Sequence, residues 1–248
     1  METFNEFDSQ AKVPARNTGD IISHAYETYK GIFIYPIVAG IIFFIAIGIL
    51  FSVTGLSSVF IEMSQSSSGG NYDPELYKAI YTSSPFLYFM GGSSLLNILL
   101  FSPLIVGVIY MAHKHNNKEA LQFSDLFIGY KQNTLQIILY GLIFSIVVGI
   151  STQLCYIPAI VIMPFLYLGY PFLLFQNVSA IEALKRSFEI VKNNYVDFLV
   201  INLLAYLCSM LGMIACCIGL IVTYMFYYST MYSAYLAYVA VPKEIETN

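Results

Sequence analysis

Residues 179–242 read SAIEALKRSFEIVKNNYVDFLVINLLAYLCSMLGMIACCIGLIVTYMFYYSTMYSAYLAYVAVP. Ser179 followed by Glu182 has the form of a capping box, and the helix it opens can be wound at about 100° per residue. Glu182, Lys185, Arg186, Glu189, Lys192 and Asn193 then fall within an arc of roughly 120°. Glu182–Arg186 and Lys185–Glu189 are oppositely charged pairs four apart on that face. Ile181, Leu184, Phe188 and Val191 take the other side. After Asp197 the next charge is Lys243. A bilayer core takes about 20 helical residues, so this run holds two spans folded back near Gly212–Gly219. The unit is an amphipathic helix followed by a membrane hairpin.

Composition places the whole chain in the same class. It is 58% hydrophobic and 10% charged, with a mean hydropathy of +0.70, which excludes both an ordinary soluble domain and a disordered chain. The four cysteines have no metal-ligand spacing. Cys208, Cys216 and Cys217 read as small packing residues. A bridge from Cys155 to Cys216 or Cys217 is compatible with the topology but not required by it.

Residues 1–17 are polar and read as a disordered cytoplasmic tail without a cleavable signal peptide. Residues 18–248 form one membrane domain. Asn17 or Thr18 caps a short helix to Lys30, with Ile21, Ile22, Ala25, Tyr26 and Tyr29 on one face. Asp20, Ser23, His24, Glu27 and Lys30 lie on the other. A serine- and glycine-rich loop occupies about 62–85, with a short helix opening at Pro74. Ser124–Asp125 starts another short helix ending at Tyr130–Lys131. Residues 132–181 carry no charge, which requires two more spans. The expected spans are 33–56, 86–112, 134–155, 158–177, 196–215 and 219–241. The expected fold is all-α: a polytopic bundle of six transmembrane helices in three hairpins, each preceded by an amphipathic helix on the cytoplasmic side. Superposing Lys30, Lys131 and Lys192 aligns the aromatics Tyr26, Phe127 and Phe188 as a weak internal repeat. With a cytoplasmic N-terminus, every lysine and arginine except Lys78 falls in an inner segment, so both termini face the cytoplasm.

No charged side chain lies within the spans, with Asp197 and Lys30 at their cytoplasmic edge, which argues against a buried carboxylate relay or a cation site. His113 and His115 stand two apart, on different faces of a helix, and His24 is distant in sequence. No metal site, cofactor or catalytic motif is expected. Small residues recur at every fourth position in two spans, as Gly141, Ser145 and Gly149 and as Ser229, Ser233 and Ala237. They permit close helix approach. Opposite the second set runs a stripe of tyrosines: Tyr224, Tyr227, Tyr228, Tyr232, Tyr235 and Tyr238. A phenol deep in a membrane needs a polar partner, with Asn97 and Asn202 as candidates. The stripe therefore reads either as hydrogen bonding between helices or as the wall of a cavity lined by Tyr224, Tyr228, Tyr232, Tyr235, Asn97 and Asn202. The charged face Glu182, Lys185, Arg186, Glu189 and Lys192 is the candidate surface for a partner.

The layout resembles the YciC-like bacterial membrane proteins and the membrane domain attached to some glycerophosphodiester phosphodiesterases. Ala183–Leu184–Lys185–Arg186–Ser187–Phe188 and Gly219–Leu220–Ile221–Val222–Thr223 carry the likeness. It implies a bacterial cytoplasmic (inner) membrane protein and no site residues. Nothing in the chain corresponds to the soluble phosphodiesterase barrel. Two functions are expected: binding or transport of lipid or another amphipathic solute, or a non-enzymatic accessory subunit in a larger inner-membrane complex. Membrane lipids are the expected partners and nucleic acid is not.

Overall fold

The computed structural model describes residues 12–66, 74–154, 157–213, 219 and 223–240. These form α1 (Thr18–Ile32), α2 (Ile34–Val53), α3 (Leu56–Ser66), α4 (Pro74–Tyr81), α5 (Ser84–Asn116), a 3-10 helix (Phe123–Tyr130), α6 (Thr134–Gln153), α7 (Pro158–Phe175), α8 (Ala180–Asn193), α9 (Tyr195–Met213) and α10 (Phe226–Tyr235). No strand occurs among the described residues. The protein is all-helical, and α2, α5, α6, α7 and α9 are each long and apolar enough to cross a membrane.

These five helices sort into two shells. In the 18-residue apolar stretch of each, the buried share is 67% for α5 and 56% for α7, but 17% for α2, 22% for α6 and 33% for α9; in α5 the burial belongs to the second half, since Ser84–Leu96 contains no buried residue. Helix α10 is buried along nearly all its length and joins α5 and α7 at the centre. The outer helices present Ile45, Ile49 and Val53, then Leu135, Ile146 and Ile150, then Val196, Leu203 and Leu207 to the surroundings. Exposed apolar surface on that scale is a liability in water and is at no disadvantage in lipid.

Each inner helix is held by one short helix from elsewhere in the chain. The 3-10 helix lies on α5, α8 on α7, and α1 on α10. Against α5 the approach is backbone to backbone: a Cβ at Gly107 would overlap the Leu126 carbonyl, and one at Gly129 would overlap Pro103. Lys114 Nζ meets Asp125 Oδ2 at 2.9 Å, and that same oxygen accepts the Gln122 N–H at 2.9 Å. Against α10, Ser229 donates to the Ala25 carbonyl at 3.1 Å, and the rings of Tyr29 and Phe226 meet edge-on at 5.8 Å. The small face of Ser229, Ser233 and Ala237 is thus the seat of α1. In α6 Gly141 serves such packing, against Ser102, while a Cβ added at Gly149 would meet nothing within 4 Å.

Two inner helices are irregular, and prolines stand at both places. Helix α7 carries Pro158, Pro164 and Pro171; it tightens to a 3-10 turn over Met163–Leu166 and breaks at Tyr167–Leu168. A proline inside a helix removes a donor and pushes the chain off the helical path, freeing backbone groups that lipid cannot satisfy. Neighbouring helices satisfy them here. Ser187 of α8 accepts the Leu168 N–H at 3.2 Å and donates to the Phe165 carbonyl at 2.6 Å. Tyr140 of α6 donates to the Leu166 carbonyl at 2.7 Å. In α5 a π-turn over Asn97–Phe101 precedes Pro103, and Tyr130 donates to the Leu100 carbonyl at 2.5 Å.

Several expectations are revised. The first membrane helix stops at Val53, because Gly55 turns left-handed at φ 76 and α3 starts a new direction. Helix α5 continues past the expected limit at 112 to Asn116. Half of the capping box at Ser179 forms: its hydroxyl accepts the Glu182 N–H at 3.3 Å, while the Glu182 carboxylate turns to Arg186 at 2.8 Å. The inward face of α1 includes His24 and Thr28, and Tyr26 points out with the Lys30 ammonium over its ring. The end of the expected disordered tail is tied down, since Lys12 pairs with Glu27 at 2.8 Å and Arg16 donates to the Ala237 carbonyl at 3.1 Å. The inner face of α8 is Ala180, Ala183, Ser187 and Val191, leaving Ile181 and Phe188 exposed. Gly212 lies against the Gly219 carbonyl and the Thr223 side chain, while the turn expected between Gly212 and Gly219 falls on residues 214–218, outside the described ones. Residues 1–11, 67–73 of the expected loop, 155–156, 214–218, 220–222 and 241–248 lie outside the described residues, and with them both ends of the possible Cys155 bridge.

Candidate functional site

A cavity of about 330 Å³ lies between α6, α7, α9 and the start of α10. Its walls are apolar over most of their area: Phe144 and Val148 from α6, Ala159 and Met163 from α7, and Leu203 and Met210 from α9. The polar atoms come from Asn202, Ser209 and the tyrosines Tyr206, Tyr224, Tyr227 and Tyr228. No Asp, Glu, Lys, Arg or His is among the lining residues. Ile160, Leu203, Tyr206 and Tyr224, each between 41% and 52% exposed, stand at its rim, on the side that the outer helices turn to their surroundings. The first half of α7, with its 3-10 turn, forms one wall. Irregular backbone at membrane depth is tolerated where it is buried in protein or lines a cavity.

The tyrosine stripe divides in two. Tyr224 and Tyr228 line the cavity, and both pack on Phe101 of α5 with ring centroids at 5.9 and 6.0 Å. Asn202 also lines it and accepts the Tyr227 hydroxyl at 2.6 Å. The candidate partner of the stripe therefore meets Tyr227, not the deeper phenols. Ser209 spends its hydroxyl on the Ala205 carbonyl at 2.8 Å. Asn97 is elsewhere: it is exposed on α5 and donates to the Ser93 carbonyl at 3.1 Å. Tyr206 and Phe144 were not singled out in the sequence, because each reads there as one more membrane-facing aromatic.

Tyr232 and Tyr235 belong to a second, closed polar centre near the other end of α10. The Tyr232 hydroxyl accepts Asn116 Nδ2 at 3.2 Å and meets His113 Nδ1 at 3.2 Å. His24 bridges from α1, with Nδ1 2.9 Å from the Ser233 hydroxyl and Nε2 3.2 Å from Asn116 Oδ1. Gln176 donates to the Tyr235 hydroxyl at 3.2 Å and is itself held by Arg186. Burial holds the His24 imidazole below its ordinary value, with the Lys12 charge acting in the same direction and the Asn116 hydrogen bond opposing it. A neutral imidazole suits a site where both ring nitrogens have partners. These hydrogen bonds join α1, α5 and α10 to one another. His115 faces the other way, against Gly31.

The charged face of α8 is also split. Arg186 and Glu182 pair with each other, and Arg186 continues to Gln176. Lys185, Glu189 and Lys192 are exposed and take part in none of the ion pairs among the described residues. Comparison with protein-family models, with curated proteins and with solved structures finds no match for this chain.

Proposed function

We propose that the protein is a six-span membrane protein that takes a hydrophobic or amphipathic solute from the bilayer into the cavity between α6, α7, α9 and α10. The observation that carries this reading is the cavity itself: about 330 Å³, free of charged side chains, with its rim on the lipid-facing side. Ligand pockets run from about 300 to 1,000 Å³ and combine apolar walls with a few placed polar groups. The broken α7 at its wall adds support, since discontinuous helices are a recurrent element of membrane binding sites. In this reading α10 is the inner half of the third hairpin, and the distribution of lysine and arginine puts both termini in the cytoplasm. The likeness to the YciC-like proteins favours a bacterial cytoplasmic membrane.

Native mass spectrometry of the protein released gently from its own membrane tests the reading. A small amphipath should be retained at fixed stoichiometry, and Ala159→Trp, which fills the cavity from α7, should abolish retention. Release of the wild-type protein with no bound small molecule refutes it. The second reading, an accessory subunit, draws on the exposed and unpaired row Lys185, Glu189 and Lys192. A partner protein co-released with the wild type and lost on charge reversal of those three residues favours it.

A further inference from the structure

The polar atoms in the cavity restrict what it can hold. Asn202 is 8% exposed, and its one hydrogen bond among the described residues is the 2.6 Å contact with the Tyr227 hydroxyl. That contact occupies the amide oxygen and leaves the amide N–H2 open toward the cavity. Turning the amide over would make Nδ2 the donor to the phenol oxygen, free the phenol O–H to donate in its place and leave the amide oxygen open as an acceptor, so a donor is available from the pair in both orientations. A buried donor of this kind is satisfied by an acceptor on the ligand, and leaving it unmet costs about 1–3 kcal/mol.

The same walls reject charge. An isolated anion taken into an apolar site loses hydration worth several kcal/mol and needs a cationic partner to recover it. No lysine, arginine or histidine lines the cavity, and no carboxylate is there to receive a cation. Met163 and Met210, which adapt to irregular shapes, are both among the lining residues. Its volume of about 330 Å³ stands near the lower limit for ligand pockets, which favours one chain over two.

On the reading that this cavity takes a membrane solute, we infer that its ligand is a neutral single-chain amphipath whose uncharged carbonyl oxygen accepts from the Asn202–Tyr227 pair.

Three probes with one common chain separate the elements of this inference. They are monooleoylglycerol (neutral, with an ester carbonyl), its ether analogue (neutral, without the carbonyl) and oleyl sulfate (a permanent anion). Each is titrated into the full-length protein in nanodiscs and read by native mass spectrometry. Monooleoylglycerol should bind with unit stoichiometry, about 2- to 10-fold tighter than the ether, as expected for one neutral hydrogen bond. Oleyl sulfate should bind at least about tenfold more weakly than the ester. In the double variant Asn202→Leu/Tyr227→Phe both partners become apolar at similar volume, a change that leaves no orphaned group and preserves the fold. There the preference for ester over ether should vanish. Equal binding of ester and ether to the wild type overturns the inference, as does binding of the sulfate as tight as the ester, or an ester preference that survives in the double variant. Should all three bind equally, the cavity reading stands and this one falls; should none bind, both fall. The wild-type ranking decides by itself if the double variant does not fold.

Discussion

Replacing Ser187 by alanine tests how the broken helix α7 is held together. Ser187 is fully buried, and its one hydroxyl serves two backbone groups, the Leu168 N–H at 3.2 Å and the Phe165 carbonyl at 2.6 Å. Alanine removes both bonds and leaves only a hydroxyl-sized gap. Each buried group left without a partner costs about 1–3 kcal/mol, so the low end of the sum is about 2 kcal/mol. For a chain of this length that corresponds to a melting temperature lower by about 4–8 °C. Unfolding in mild detergent can be followed with a dye that fluoresces on reacting with newly exposed thiols, since Cys208 is part-buried in the folded state. Ser94→Ala is the control: Ser94 is exposed and bonds only the Met90 carbonyl of its own helix, so its loss should stay within about 0.5 kcal/mol. Tyr140→Phe, which removes the donor to the Leu166 carbonyl, should couple with Ser187→Ala by more than about 0.5 kcal/mol, because both mend the same break. A Ser187→Ala protein that melts within about 1 °C of wild type, or that adds independently to Tyr140→Phe, refutes the idea that α8 sustains the irregular backbone.

Gly107→Ala should prevent the 3-10 helix from seating on α5, because the added methyl meets the Leu126 backbone; Gly149→Ala, in open space, should be neutral, and comparing the yields of folded protein decides it. Stability should fall as pH drops through about 6.5, because His24 is held neutral in the folded state while the unfolded chain takes up the proton first. Thermal melts at pH 7.5 and 5 check this, and His24→Gln should show a smaller fall between them; an identical fall in both proteins counts against it. In intact cells, Lys78→Cys should react with a membrane-impermeant thiol reagent applied outside and Lys118→Cys should not, each judged against the cysteine background of the parent chain. The reverse pattern would invert the proposed topology.

Much of the helical plan is legible because charge is forbidden in lipid. The uncharged runs 132–181 and 198–242, each more than twice the length of one crossing, announce their helices without any reference to packing. Which helices lie inside is not written in the same way. Lipid and protein interior are both apolar, so α2 and α5 look alike in composition although one is outer and the other inner. Periodicity puts His24 on the polar face of α1, yet its partners Asn116 and Ser233 are far along the chain and pull it inward. The π-turn Asn97–Phe101 inserts an extra residue and rotates the faces on either side of it, so simple helical spacing across that point fails. In the cavity, Asn202, Tyr224 and Tyr228 follow from the stripe, whereas Tyr206 stands on a helix whose outer side is exposed throughout.

The seat of α1 on α10 has a consequence for biogenesis. His24 waits for Ser233, which lies 209 residues later. At about 5–20 residues per second, the ribosome takes on the order of 10–40 s to deliver that partner. During this interval Ile21, Ala25 and Ile32 have no native neighbour on α10, and the half-made protein must shelter them at the membrane surface or against a chaperone. The final helix then enters a space already bounded by its predecessors and closes it. Nascent chains halted before residue 226 should accordingly be cleared by the cell far faster than completed ones, however many of their membrane helices are already inserted.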